Sequence, residues 1–294
     1  MSMGFEIGRL LEVGVAVKDL AAAGPDFSRA LQAPISGVIE EADNFAIRFQ
    51  MCRVGDVDFE VMESAAPNGL IEKFIRRRGE GLHHIAFLVN DAEAGIAHFK
   101  AKGVPVLSDA PVRLANLRAF FLHPACLNGV LVEFVENLHP WLDGVTAPRP
   151  TGPAPLPLGI TTARITGIGI RVSDLAASAA AFQRVLGAKV APARSIADLG
   201  VHASICRVDN VDLILMQAVP GADPEFLPGP ADIGIHHVSM EVGSIDQALT
   251  ALEAAGGPSR QWRRSGIYGG ESVFVDHPRL HGTLIELRQR IPAA

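Results

Sequence analysis

Residues 11–17 (LEVGVAV) and 83–89 (HHIAFLV) alternate between two sets of side chains with the period of two that marks a strand. In the first run Glu12, Gly14 and Ala16 share one face, and Val13, Val15 and Val17 share the other. In the second run His84, Ala86 and Leu88 oppose Ile85, Phe87 and Val89. Each run leads into an Asp-led turn, at Asp19 and at Asp91, and aspartate there suits a helix N-cap. Apolar spacing of helical type follows, as in AGIAHFKAKG, which Gly103 closes. Further β-type runs follow, such as FAIRFQMCRV and VDFEVME in the first unit. The pattern predicts βαβββ modules.

The modules recur. VAVKDLAAAGPDFSRAL (15–31) returns as IRVSDLAASAAAFQRVL (170–186), and CRVGDVDFEVMES (52–64) returns as CRVDNVDLILMQA (206–218). EGLHHIAFLVND (80–91) returns as IGIHHVSMEVGS (233–244), and HPACLNGVLVEF (123–134) returns as HPRLHGTLIEL (277–287). Repetition at two scales predicts four modules in two homologous halves. TAPRPTGPAPLPLG, starting at Thr146, is too rich in proline for a helix interior or a central strand. We therefore expect a first domain over 1–145, a linker over 146–160 and a second domain over 161–294.

The 294 residues are about half apolar (48%), enough for two cores, and the net charge of -6 argues against a nucleic-acid partner. Arg76–Arg78 and Arg260, Arg263 and Arg264 are local basic exceptions, read as solvated surface or as contacts for an anion. The three cysteines lack paired spacing, which disfavours a disulfide framework or a structural zinc site. No apolar run reaches membrane-span length and no leader pattern opens the chain, so a cytoplasmic protein without a membrane partner is expected. Adjacent strand residues point to opposite sides, so each His-His pair can offer one ring to a given cavity. His98, His123 and His277 read as surface or turn residues.

KFIRRRGEGLHHIAFLV together with FFLHPACLNGVLVEFVE resembles the vicinal oxygen chelate superfamily, and within it the methylmalonyl-CoA epimerases. Glyoxalase I and the extradiol dioxygenases are more distant members. The resemblance covers about residues 9–137 and, more weakly, 164–290. It implies an α+β fold of tandem βαβββ modules, four in all, forming two open half-barrel cups. It also implies a divalent metal held by strand residues. Carried over by position, the first half supplies Glu12, Glu60, His84 and Glu133. The second supplies His237 and Glu286, with Gly167 and Ile214 unable to ligate, so it implies only a weaker second site. Glu12 departs from the histidine usual in the epimerases and is read as ligand or base. Arg48, Gln50, Arg171, His202 and Ser239 are the candidates for lining the cavities.

One histidine with carboxylates suits one ion of Co, Ni, Mn, Mg or Zn, with iron disfavoured because Gly167 removes a ligand of the dioxygenase plan. The resemblance implies an enzyme, an isomerase, epimerase or lyase acting on a small carbonyl or thioester substrate by proton transfer through a metal-stabilised enolate, with Glu12 and Glu60 as catalytic carboxylates. The alternatives are a metal-free small-molecule binder of the same fold and a ring-cleavage dioxygenase. Whether modules pair one with two or one with four stays open, as does a homodimer.

Overall fold

The structure is a computed structural model and describes residues 4–114, 117–137, 163–221, 233–258 and 260–289. The first half contains β1 (Ile7–Ala16), α1 (Leu20–Leu31), β2 (Ile39–Glu41), β3 (Ile47–Val54), β4 (Val57–Ser64) and α2 (Leu70–Arg78). It continues with β5 (Gly81–Val89), α3 (Ala92–Ala101), β6 (Val112–Leu114), β7 (Leu117–Leu122) and β8 (Leu131–Asn137). The second half contains β9 (Arg164–Arg171), α4 (Leu175–Leu186), β10 (Lys189–Val190), β11 (Arg194–Ile196), β12 (Val201–Val208) and β13 (Val211–Ala218). It ends with β14 (Gly234–Val242), α5 (Ile245–Ala254), β15 (Arg260–Ser265), β16 (Glu271–Asp276) and β17 (Leu284–Gln289). The proline-rich linker expected over 146–160 lies outside the described residues.

Four βαβββ modules are present, as the alternation predicts. The first two share a sheet of order β2-β3-β4-β1-β5-β8-β7-β6. The last two share β10-β12-β13-β9-β14-β17-β16-β15, with β11 paired to β12. Both sheets fit the expected half-barrel cups. The chain also divides into two compact units that group the modules differently from the sheets: most of the first goes with the fourth, and the second with the third. In the former group Arg279 pairs with Asp26, and the His281 ring stacks on Phe27. The start of β1 goes with the latter group, where Asn210 Oδ1 accepts from Leu10 N at 2.8 Å.

The Asp-led turns do what their composition suggests. Asp19 caps α1 by accepting from Ala22 N, Asp91 caps α3 from Ala94 N, and Asp174 caps α4 from Ala177 N. Ser244 takes this role at α5. A second acceptor comes from the strand beneath: Glu63 takes Leu20 N, Glu136 takes Ala92 N, and Gln217 takes Leu175 N, at 2.8–2.9 Å. Each of these helices is thereby tied to its own module through two of the four N–H groups that a helix start leaves without partners.

In the first sheet α1 packs on one face and α2 on the other. In the second module Phe99 of α3, Phe120 of β7 and Phe134 of β8 are fully buried, with Phe134 5.0 Å from Phe120 and 5.1 Å from Phe99 between ring centroids. Gly95 sits against this cluster: a Cβ there would stand 2.7 Å from both Phe5 and Phe120. His123 and His277 are turn residues as expected, each capping the short helical turn before the last strand of its half, although His277 is fully buried. The three cysteines are free, with Cys52 and Cys206 buried. Among the described residues no helix is long and apolar enough to cross a membrane.

Alanine normally strengthens a helix relative to glycine by close to 1 kcal/mol, but overpacking a filled core costs more. Gly95→Ala is therefore expected to lower unfolding stability by about 1–2 kcal/mol, read from a denaturant midpoint. A midpoint that rises would show that the aromatic cluster yields easily.

Candidate metal centre

Register decides which side chains face the first cup. β1 and β4 run parallel with Glu12 beside Asp58 and Gly14 beside Glu60. β5 and β8 run parallel with Ala86 beside Glu133. Gly14–Glu60 in the first module and Ala86–Glu133 in the second are equivalent pairings. Each puts a small residue next to the carboxylate and so leaves space in front of it. His84 occupies the same place on β5 as Glu12 on β1.

His84 (4% exposed) and Glu133 (5%) are buried together, with His84 Nε2 3.2 Å from Glu133 Oε2. The ring of Phe121, whose residue pairs with Glu133 across β7 and β8, stands edge-on to His84 at 6.3 Å. Glu12 completes a group: its carboxylate, the His84 ring and the Glu133 carboxylate each offer a ligand atom within 4.8 Å of the others. Glu60, also buried, belongs to the same face by register but not to this group of three. His83 is not in the group either; its ring meets Phe74 of α2 at 4.7 Å. One imidazole with two carboxylates is a donor set for a hard or borderline divalent ion, whose charge would balance the two carboxylates. The residues present fit such an ion.

The sequence matches the profile of the Glyoxalase/Bleomycin resistance protein/Dioxygenase superfamily twice, over residues 12–121 and 167–274. The chain belongs to this superfamily. Over 134 residues, 45% of this chain and 75% of its relative, it is 29% identical to the mitochondrial methylmalonyl-CoA epimerase of Mus musculus. It is also 29% identical to the ethylmalonyl-CoA/methylmalonyl-CoA epimerase of Cereibacter sphaeroides over 133 residues, 44% of this chain and 98% of that one. These matches fall on the first half. A mutant of 4-hydroxymandelate synthase from Streptomyces coelicolor has a solved structure that aligns with 98% of this chain and 94% of its own at a TM-score of 0.76. At 14% identity that likeness shows a common fold.

The second glyoxalase-like cup keeps the histidine and the last carboxylate but surrounds them differently. His237 Nε2 lies 3.5 Å from Glu286 Oε2, and both residues are buried. Ser239, beside Glu286 in register, donates to Glu286 Oε2, and Phe274 stands edge-on to the His237 ring at 5.1 Å. Gly266 closes over them: a Cβ there would meet Ser272 Oγ and stand 3.5 Å from Glu286 Oε1. At the two remaining ligand positions stand Gly167 and Ile214. Among the described residues no third histidine, cysteine or acid joins His237 and Glu286. Burial alone would raise the Glu286 pKa; the hydrogen bond and charge of His237, with hydrogen bonds from Ser239 and Ser272, outweigh it and hold the carboxyl below its ordinary 4.5.

Three of the expected cavity residues lie outside the cups, although His202 lines a separate cavity with Ser195 and Gln217. Gln50 pairs with Val61 and Arg48 with Glu63, out of phase with Glu60. Gln50 fills the space beside Gly24 of α1 and donates to Ser36 O at 2.8 Å, while Arg48 pairs with Glu63 at the start of that helix. His202 pairs with Gln217, on the α4 side of its sheet, with Nδ1 2.8 Å from Ser195 Oγ. Arg171 does share the face of Gly167 and Gly169, paired with Met216, and Ser239 lies at the second cup as described. Sequence reasoning passes over Arg53 and Asp58. Asp58 is buried next to Glu12, and Arg53 Nε donates to it at 2.8 Å. The signal is present in the repeat, since Arg207 and Asp212 make the same cross-strand pair. Because the pair recurs where Gly167 stands in place of Glu12, it belongs to the scaffold.

A carboxylate whose pKa is depressed by folding adds stability above its unfolded pKa and loses it as pH falls through the folded value. Ser239→Ala is expected to destabilise the protein by about 1–3 kcal/mol at neutral pH. The deficit should shrink as the pH drops below 4.5 and Glu286 becomes protonated. Denaturation midpoints of both proteins from neutral pH into the acid range check this; a deficit that grows towards acid would contradict the assigned direction.

Proposed function

We propose that this chain is a divalent-metal-dependent enzyme of the isomerase, epimerase or lyase type, acting by proton transfer on a small carbonyl or thioester substrate in its first cup. The observation that carries this reading is the buried His84–Glu133 pair with Glu12 in reach of both. One imidazole and two carboxylates have few uses together in an apolar setting except to hold a cation. Glu12, His84 and Glu133 are the residues that would hold it. A divalent ion supplies Lewis acidity, polarising a substrate oxygen and favouring loss of the proton on the adjacent carbon.

The chain's own residues supply the rest. Glu60 faces the same side from the neighbouring strand, outside the group of three, and in this reading takes or returns that proton. Glu12, half-buried where Glu133 is buried, is the second carboxylate that could serve as base. Phe121 beside His84, and the apolar cluster of Leu11, Ala86, Ala119 and Val135 on the same sheet, keep the surroundings poor in water. That lowers the local dielectric and strengthens each charge interaction in the cup. The named relatives are malonyl-CoA-type epimerases, which supports a thioester with an acidic α-proton as substrate. The free cysteines agree with a cytoplasmic setting.

Protein purified without chelators is expected to carry one divalent ion per chain by elemental analysis, and His84→Ala and Glu133→Ala to lose it. Deuterium uptake from heavy water into the α-carbon of methylmalonyl-CoA should follow metal loading. Glu60→Gln should keep the metal and slow uptake by about 100-fold or more. Absence of metal, with no rise in melting temperature on adding Co or Ni, would make the cup a metal-free binding site. Tightly held iron with oxygen uptake on a catechol would make the chain a ring-cleavage oxygenase.

A further inference from the structure

The two halves repeat each other closely but part ways at one helix. α2 reads LIEKFIRRR, with Lys73, Arg76, Arg77 and Arg78 against the single acid Glu72. The corresponding stretch of the second half, residues 224–232, reads PEFLPGPAD, with two acids and no base. At this place in the repeat, positive charge stands only in the half that carries the complete donor set.

α2 is anchored by Ile71, Phe74 and Ile75, which pack with Ala16, Ile47 and Met62. Ala16 and Met62 pair with each other two residues beyond Gly14 and Glu60, on the same face. The helix therefore lies over the sheet face that carries the donors. Beside it is a cavity of about 700 Å³, within the range of small-molecule sites. Lys18 lines it from the end of β1, Ser64 from the end of β4, and Glu72, Ile75 and Arg76 from α2. Glu72 accepts from Asn68 N at 2.6 Å and stands 3.6 Å from Arg76, and Arg76 also reaches Asn68 Oδ1 at 3.3 Å. These contacts orient the guanidinium along the cavity wall. Lys73 and Arg77 are exposed on the same helix. Arginine forks and lysine point charges are the usual donors to phosphate oxygens. Glu60 and Ser64 are four residues apart on β4, so the cavity begins about 13 Å from the proposed base.

We propose that this cavity is an anion subsite that takes a phosphate on the tail of the substrate. A short free acid cannot reach both Glu60 and the Lys18–Arg76 wall, whereas a thioester on a long phosphorylated carrier spans them. The identity of the reacting end rests on the function proposed above; the anion subsite itself can be tested without turnover.

Calorimetric titration of the full chain with coenzyme A, with pantetheine and with inorganic phosphate tests the assignment. Coenzyme A is expected to bind at least about tenfold more tightly than pantetheine, with the gap narrowing as salt is added. The double variant Lys18→Gln/Arg76→Gln should close most of that gap with metal content unchanged. Arg260→Gln/Arg263→Gln, which removes two bases from the second half, should leave the gap intact. Equal affinity for coenzyme A in wild type and the Lys18/Arg76 variant would overturn the proposal. So would inorganic phosphate competing as strongly as coenzyme A, since the cavity would then be a site for the free ion. A chain that keeps the gap yet holds no metal and exchanges no proton would retain the subsite and lose the catalytic reading.

Discussion

Burying a carboxylate is costly unless something positive or hydrogen-bonding faces it, and each sheet buries one on the last strand of its half. Glu133 and Glu286 occupy equivalent places, each beside a buried histidine. The two cups meet the same requirement differently. Around Glu286 the protein provides neutral donors, Ser239 and Ser272, and lets the chain at Gly266 close over them. Around Glu133 it provides a second carboxylate, Glu12, which only adds to the electrostatic demand. Ala86 holds the place that Ser239 takes in the second cup, and the second acid, Glu12, stands where the second cup has Gly167. That contrast within one chain is the strongest physical support for a cation in the first cup.

The rest of the architecture supports this placement. Parallel pairing of β1 with β4 and of β5 with β8 sets donors at matched heights, and Gly14 and Ala86 leave room before them. Asp-led caps, together with Glu63, Glu136 and Gln217 reaching from the strands, lock α1, α3 and α4 to their own modules. The cup residues then rest on rigid strands, which hold a constellation more exactly than loops do. The repeat thus carries three candidate donors in its first cup, and in its second a serine that donates to Glu286 beside His237.

The modules and their order are legible because alternation and internal repetition are written directly in the residues; alternation allows each His-His pair one inward ring, and the family resemblance names which. The inward phase of β3 and β12 is not legible. FAIRFQMCRV carries polar Arg48 and Gln50 in one phase and apolar Ile47, Phe49 and Met51 in the other, and by pattern alone the polar phase reads as the cavity lining. In the structure the apolar phase faces the cup, because α2 covers that part of it with Ile71 and Phe74. Arg48 and Gln50 instead serve the start and flank of α1. His202 departs from expectation in the same direction: Val201, Ala203 and Ile205 hold the inward phase of β12. Strand periodicity tells which residues share a face; which face is covered depends on elements far along the chain.

The most direct test of the central claim is anomalous diffraction from crystals of the full chain grown with Co, recorded on both sides of the cobalt absorption edge. One cobalt peak per chain, bounded by Glu12, His84 and Glu133, with none at His237 and Glu286, is the predicted result. A peak at the second cup, or none at the first despite full cobalt exposure, would contradict it.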